Sequence, residues 1–313
     1  MQPQVLVIAG PTASGKTALS IALAQAFDGE IVNADSMQIY RTMDVGTAKP
    51  TLEERRGIPH HLLDVADPEE NFSVARYVDL AAPCVDDILA RGKLPILTGG
   101  TGLYIDSLLS GRTFAPYPET GWRQRLQQQA AEQGIDPLLA ELADVDLEAA
   151  ARLHPNDEKR IIRALEVWHE TGKTISQHNR ETQSLPPRYA ALKLALNFKS
   201  RADLWARIDR RVDQMAADGL VEEVSALLER GIDPKCTAMQ AIGYKELVPA
   251  LRGEWDLETA LAEIKLRSRQ YAKRQLTWFR RDEQYHWFLW DTEPDFSAAL
   301  RFATEKIHAS GIG

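Results

Sequence analysis

Three short stretches carry residue types and spacings fit for chemistry. The first is Gly10–Thr17, G-P-T-A-S-G-K-T, which follows the apolar run Val5–Ala9. It fits G-x-x-x-x-G-K-[ST], a loop that cradles phosphates. Gly10 and Gly15 let the chain turn tightly, and Pro11, Thr12, Ala13 and Ser14 supply the backbone between them, so that successive N–H groups face inward. A helix starting near Lys16 adds its positive end. Lys16 brings a point charge, and Thr17 offers a hydroxyl to Mg²⁺. The loop specifies a polyphosphate, not which one. The second stretch begins at Asp35, which closes the apolar run Glu30–Ala34. A carboxylate at a strand end beside a phosphate site is placed to act as a general base, or equally to cap the next segment or support a bound Mg²⁺. The third is Gly99-Gly100-Thr101-Gly102 after Leu94–Thr98, either a bare tight turn or one that presents Thr101 to a substrate.

Cationic residues form further groups. Arg207 and Arg211 share a helix face at i, i+4; they clamp a phosphate or pair with Asp203 and Asp209. Lys265, Arg267, Arg269, Lys273, Arg274, Arg280 and Arg281 run without an acidic residue between them, interleaved with Tyr271, Trp278 and Phe279. In a chain of net charge −8 that asymmetry suits an RNA backbone. Lys159, Arg160 and Arg163 make a smaller patch.

These residues need a scaffold. Short apolar runs alternate with helical patterns through the first hundred residues, which implies parallel βαβ units. The expected fold class is α/β, a P-loop NTPase-like parallel sheet flanked by helices, with a mainly helical insertion domain. In such sheets ligands sit beyond the carboxyl ends of the strands, so Gly10–Thr17, Asp35–Gln38 and Gly99–Thr101 converge. Helices are expected at Thr17–Phe27, Val74–Ala90, Arg201–Glu229 and Leu257–Phe279, with later strands at Ala190–Phe198 and Tyr285–Trp290. A break at Phe114–Pro118 and another at Pro186-Pro187 delimit the insertion, 114–187, within a core of 1–113 and 188–313.

The 313 residues, 44% apolar and 26% charged, are ordinary for a globular protein. No apolar stretch is long enough to span a bilayer, and no signal-like segment opens the chain, so a cytoplasmic location without membrane attachment is expected. Two cysteines, Cys84 and Cys236, do not make a disulfide framework and are too few for a four-cysteine zinc site. His60-His61 is a poor metal pair, because neighbours on an extended segment point to opposite sides.

GPTASGKT at 10–17, VNADSMQIYRTMDVGTAKP at 32–50, PHHLLDV at 59–65, LTGGTGLY at 97–104, NDEKRIIRALEV at 156–167, RIDRRVDQMAADGLVEEV at 207–224 and QAIGYKEL at 240–247 together resemble the bacterial tRNA dimethylallyltransferases, the P-loop tRNA isopentenyltransferase family. The resemblance covers nearly the whole chain. It implies transfer of the dimethylallyl group from dimethylallyl diphosphate to N6 of adenosine 37 in tRNA, with Mg²⁺ as cofactor and the loop holding a diphosphate. It implies Asp35 as general base, with Lys16 and Thr101 also at the reaction centre, and Arg211 or Arg207 on the diphosphate. It implies acceptor-tRNA contacts at Asp35, Ser36, Met37, Gln38, Thr101 and Arg123. Further contacts are implied at Lys159, Arg160, Ile161, Ile162 and Arg163, at Gln240, Ala241, Ile242, Gly243, Tyr244 and Lys245, and at Arg274, Arg280 and Arg281. A monomer binding the anticodon stem-loop is expected.

Two rival enzymes share the loop: a small-molecule P-loop kinase, and an isopentenyltransferase acting on free AMP or ADP. A non-enzymatic RNA-binding ATPase is a third. The kinase explains neither the basic C-terminal helices nor the helical insertion, the free-nucleotide enzyme needs no RNA contacts, and hydrolysis without group transfer would mark the ATPase.

Overall fold

The computed structural model describes residues 4–112, 114, 120–184 and 186–312. In chain order the first elements are β1 (Gln4–Ala9), α1 (Lys16–Ala26), β2 (Gly29–Asn33), β3 (His60–His61), α2 (Val74–Ala90), β4 (Leu94–Thr98) and α3 (Gly102–Ser110). Five helices follow: α4 (Trp122–Gln133), α5 (Asp136–Val145), α6 (Leu147–Ala150), α7 (Glu158–Thr171) and α8 (Ile175–Gln183). The last elements are β5 (Ala190–Phe198), α9 (Arg201–Ala217), α10 (Leu220–Glu229), α11 (Tyr244–Leu251), α12 (Leu257–Phe279), β6 (Tyr285–Trp290) and α13 (Phe296–Ser310).

The strands form one sheet in the order β3-β2-β4-β1-β5-β6, with every pairing parallel. Parallel strands must be covered on both faces, which is why β1 and β4 read as nearly continuous apolar runs rather than alternating ones, and why all five residues of β2 are buried, Glu30 and Asn33 included. Leu6, Ile8, Ile96, Leu194 and Leu196 pack with Leu19 and Leu23 of α1, Leu204 and Ile208 of α9, and Ala299, Ala303 and Ile307 of α13. Each such aliphatic side chain, fully buried, contributes about 1.5–3 kcal/mol. A second cluster joins Ile39, Tyr40 and Met43 to Val224, Leu227, Tyr244, Leu247 and Ile264.

The chain divides into two compact units, 1–109 with 188–313, and 110–187. The second is all helical around Leu126, Leu138, Leu142, Ile161, Ile162 and Leu165. The expected break at Phe114–Pro118 lies, apart from Phe114, outside the described residues.

One expectation needs correction. The helical stretch 201–229 is two helices, interrupted at Asp218-Gly219. His60-His61 is a short edge strand beside β2, with His61 Nε2 2.8 Å from Glu30 and His60 Nδ1 2.8 Å from the carbonyl of Ile58. Two helices, α11 and α13, were not anticipated. Cys84 and Cys236 are both free, and no helix among the described residues is long and apolar enough to cross a membrane.

Candidate active site

The phosphate-type loop joins β1 to α1. Gly10 has φ +139°, and a Cβ there would lie 2.5 Å from the carbonyl oxygen of Leu196 on β5, so only glycine fits. The loop is tied from outside itself. Trp290 Nε1, at the end of β6, donates to the carbonyl of Ser14 at 2.8 Å. The Thr12 N–H donates to Gln275 Oε1 of α12 at 2.9 Å. Lys16 Nζ donates to the carbonyl of Pro11 at 2.8 Å. Its pKa is lowered to about 8, by burial first and by the Arg211 cation second, with Asp35 pulling the other way. Thr17 is exposed at the start of α1.

Arginines approach from α9. Arg207 Nε donates to the carbonyl of Ala13 at 3.4 Å, and its guanidinium stands over the Phe198 ring. Burial lowers the pKa of Arg211, and the charges of Asp35 and Glu54 oppose that. The i, i+4 pair therefore faces the loop. The acid named as its other option, Asp209, receives Arg269 instead, at 2.8 and 3.0 Å.

Asp35 follows β2 by two residues. Asn33 fixes the turn, accepting from the Asp35 N–H and donating to the Asp35 carbonyl, both at 3.1 Å. Asp35 Oδ1 accepts from the Met37 N–H at 2.9 Å. The neighbouring turn after β4 closes against it: Ser36 N–H donates to Thr101 Oγ1 at 3.0 Å, and the Thr101 hydroxyl donates to Ser36 Oγ at 3.2 Å. Tyr271 of α12 adjoins this cluster, its hydroxyl pKa raised by burial and by the Asp35 charge. The three strand-end segments thus meet in one place, with the carboxylate of Asp35 close enough to influence both Lys16 and Arg211.

Several residues expected at an RNA surface make contacts within the protein. Ile161 and Ile162 are 0% and 4% exposed and form part of the helical unit's core, so their side chains cannot meet a partner. Ala241, Gly243 and Tyr244 are buried; the Tyr244 hydroxyl bonds Glu223, which also accepts the N–H groups of Asp44, Val45 and Gly46. Ile242 is partly buried in the same cluster. Gln38 spends both amide hydrogens on the carbonyls of Thr47 and Ala48, and Met37 packs on the second apolar cluster. Gln240 and Lys245 are exposed, with Gln240 Nε2 donating to the carbonyl of Pro234.

The basic run on α12 is also less charged than it reads. Lys265 pairs with Asp213 and Arg267 with Glu263, besides the Arg269–Asp209 pair. Lys273 and Arg274 of α12, and Arg280 and Arg281 just beyond its end, are exposed, Arg274 over Tyr271 and Arg281 over Trp278. In the helical unit, Lys159 and Arg160 are exposed, and Glu166 receives both Arg123 and Arg163.

Sequence reading missed Gln275 and Trp290, which hold the loop. The available signal was a glutamine on the inner face of α12, between Tyr271 and Trp278 at helical spacing.

A family model, IPP transferase, matches residues 38–282. The chain belongs to the IPP transferase family. It is 50% identical over 285 residues to tRNA dimethylallyltransferase 1 of Pelobacter propionicus, covering 91% of this chain and 92% of that one. Against tRNA dimethylallyltransferase 1 of Trichlorobacter lovleyi the identity is 47%, covering 99% of this chain and 100% of the relative. Among solved structures, the tRNA isopentenylpyrophosphate transferase of Staphylococcus epidermidis superposes with a TM-score of 0.72 at 42% identity, covering 98% of this chain and 100% of that one. A eukaryotic dimethylallyltransferase captured acting on tRNA gives 0.83 at 32% identity, covering 99% of this chain and 80% of that one. The two solved structures share the overall fold of this chain.

Proposed function

We propose that this chain transfers a dimethylallyl group from dimethylallyl diphosphate to N6 of adenosine 37 in tRNA, releasing diphosphate. One observation carries the reading: Asp35 stands where it influences both Lys16 and Arg211, beside the Ser36–Thr101 pair. A base and a cationic phosphate clamp share one site.

The bond from the allylic carbon to the bridging oxygen breaks, and its electron pair leaves with the diphosphate. Loop N–H groups, Lys16, Arg211 and Arg207 stabilise that charge. The N6 lone pair forms the new C–N bond. That amine is delocalised into the ring and attacks poorly unless its proton departs as the bond forms. Asp35 takes the proton; its Oδ1 is held by Met37, and its Oδ2 is used by no described residue. Such assistance is typically worth about 10²–10⁴-fold. Thr101 and Ser36 orient the adenine. In a loop adenosine 37 is stacked, so it is flipped out to reach Asp35, at about a few kcal/mol.

Mg²⁺ fits the donors present. No group of three or more acidic, His or Cys side chains forms a cage among the described residues. The exposed Thr17 hydroxyl with diphosphate oxygens and water is the sparse oxygen set this ion accepts. When bound it neutralises charge on the departing diphosphate. Lys159 and Arg160 of the helical unit, and separately Arg274 of α12 with Arg280 and Arg281 just beyond its end, contact acceptor phosphates.

Labelled dimethylallyl diphosphate and labelled ATP, each incubated with tRNA, provide the test. Label entering tRNA from the former alone is expected. Phosphate transfer from ATP to a small acceptor would overturn the proposal.

A further inference from the structure

Gln275 is 4% exposed and uses both ends of its amide on backbone far away in sequence. Oε1 accepts from the Thr12 N–H at 2.9 Å, and Nε2 donates to the Gly100 carbonyl at 3.0 Å. Thr12 belongs to the phosphate loop and Gly100 to the turn that presents Thr101. A neutral amide supplies an acceptor and a donor from one side-chain end; a carboxylate lacks the donor and an ammonium the acceptor. The approach to Gly100 is so close that a Cβ there would fall 2.1 Å from Nε2. This side chain therefore sets the spacing between the loop and the acceptor-side turn.

The same helix has a second face. Tyr271, Gln275 and Trp278 lie on one side at i, i+4 and i+7, with Trp278 Nε1 donating to Asp106 of α3 at 2.8 Å. Lys273, Arg274, Arg280 and Arg281 are exposed. The exposed cations and the side chain hydrogen-bonded to the phosphate loop thus stand on one continuous segment, Lys273–Arg281.

We infer that Gln275 is a positioning residue that couples the two substrates: RNA bound on α12 and diphosphate bound in Gly10–Thr17 strengthen each other through the Thr12–Gln275–Gly100 bridge. The inference rests on the function proposed above. Coupling of this kind is reciprocal, and typical values are roughly 5–150-fold in affinity.

The probes are inorganic pyrophosphate with Mg²⁺ and an anticodon stem-loop RNA, titrated calorimetrically against the full chain. In the wild-type chain, saturating RNA tightens pyrophosphate binding by roughly five-fold or more, and pyrophosphate tightens RNA by the same factor. Gln275→Met removes both bonds and brings that factor close to one, with RNA affinity in the absence of pyrophosphate unchanged. Gln275→Glu keeps the bond from Thr12 and loses the one to Gly100, so it also lowers the factor. In steady state both variants raise KM for tRNA at saturating dimethylallyl diphosphate and lose kcat/KM for dimethylallyl diphosphate by about ten-fold while RNA affinity without pyrophosphate holds, a combination that a general loss of packing does not produce. Independent binding in the wild-type chain would overturn the inference without recourse to any variant, and so would variants that keep the coupling. A wild-type chain that binds neither probe would overturn the proposed function instead.

Discussion

Ser36 and Thr101, sixty-five residues apart in sequence, are joined twice: the Ser36 N–H donates to Thr101 Oγ1 at 3.0 Å, and the Thr101 hydroxyl donates back to Ser36 Oγ at 3.2 Å. This bridge fixes the segment that begins at Asp35 against the turn after β4. Thr101→Val keeps the shape and removes both bonds, leaving a partly buried N–H without its acceptor, a loss of about 1–3 kcal/mol. The expected result is a fall in kcat/KM of roughly ten-fold or more, largely restored by Thr101→Ser. Steady-state kinetics on tRNA decide it; equal damage from Val and Ser would remove the hydroxyl from this role.

Asp35→Asn keeps the turn, because the side-chain carbonyl still accepts from Met37 N–H. It removes the proton acceptor. Turnover is expected to fall by at least about 10²-fold while tRNA affinity holds. Near-normal turnover would assign the proton to another group.

Lys16 gives a pH signature. Burial and Arg211 hold its pKa near about 8 in the free protein, so the cation is present below that pH and lost as pH rises through it. A bound diphosphate favours the charged form, so binding near and above this pH takes up a proton. The affinity advantage of wild type over Lys16→Met for pyrophosphate is expected to shrink as pH is raised from about 7 to about 9. Calorimetry in buffers of different ionisation enthalpy reads the proton directly; a ratio that does not move with pH would contradict the lowered pKa.

The exposed and the paired cations of α12 should separate by salt. Arg274→Ala and Arg281→Ala are each expected to lower the slope of log affinity for tRNA against log salt by about 1. Arg269→Ala is expected to leave it nearly unchanged, because Arg269 already faces Asp209. Equal slopes for all three would mean that the α12 surface is not where RNA phosphates sit.

In the helical unit, burial sets the outcome. Ile162→Ala empties a core position and is expected to lower stability by about 2–5 kcal/mol. Lys159→Ala, on the surface, should stay within about 0.5 kcal/mol. Denaturant unfolding of the two variants tests this, and an Ile162 variant as stable as the parent would contradict its core placement.

Legibility in the sequence followed locality. Leu94–Thr98, Ala190–Phe198 and Tyr285–Trp290 are strands with the bounds expected from their apolar runs, and Val74–Ala90 is a helix with its expected bounds despite Pro83. Helix α13 escaped because its inner face is mostly alanine, Ala299 and Ala303 with Ile307, which leaves little periodic signal. The interruption at Gly219 escaped because apolar spacing resumes at Leu220 and Val224. At the site, strand ends were enough to bring Gly10–Thr17, Asp35 and Thr101 together. The contacts of Gln275 were not legible, since its partner Thr12 is 263 residues away and only the folded sheet brings them together. For the same reason a motif read as one contact surface, Lys159–Arg163, separates into exposed cations and buried isoleucines once the helix has a core to cover.

The most direct measurement is mass analysis of the nucleosides of tRNA incubated with the protein, Mg²⁺ and dimethylallyl diphosphate. The expected result is one adenosine, at position 37, heavier by a five-carbon alkenyl group on N6, with diphosphate released in equal amount. Unmodified tRNA, or alkylation of free AMP without any change in tRNA, would contradict it.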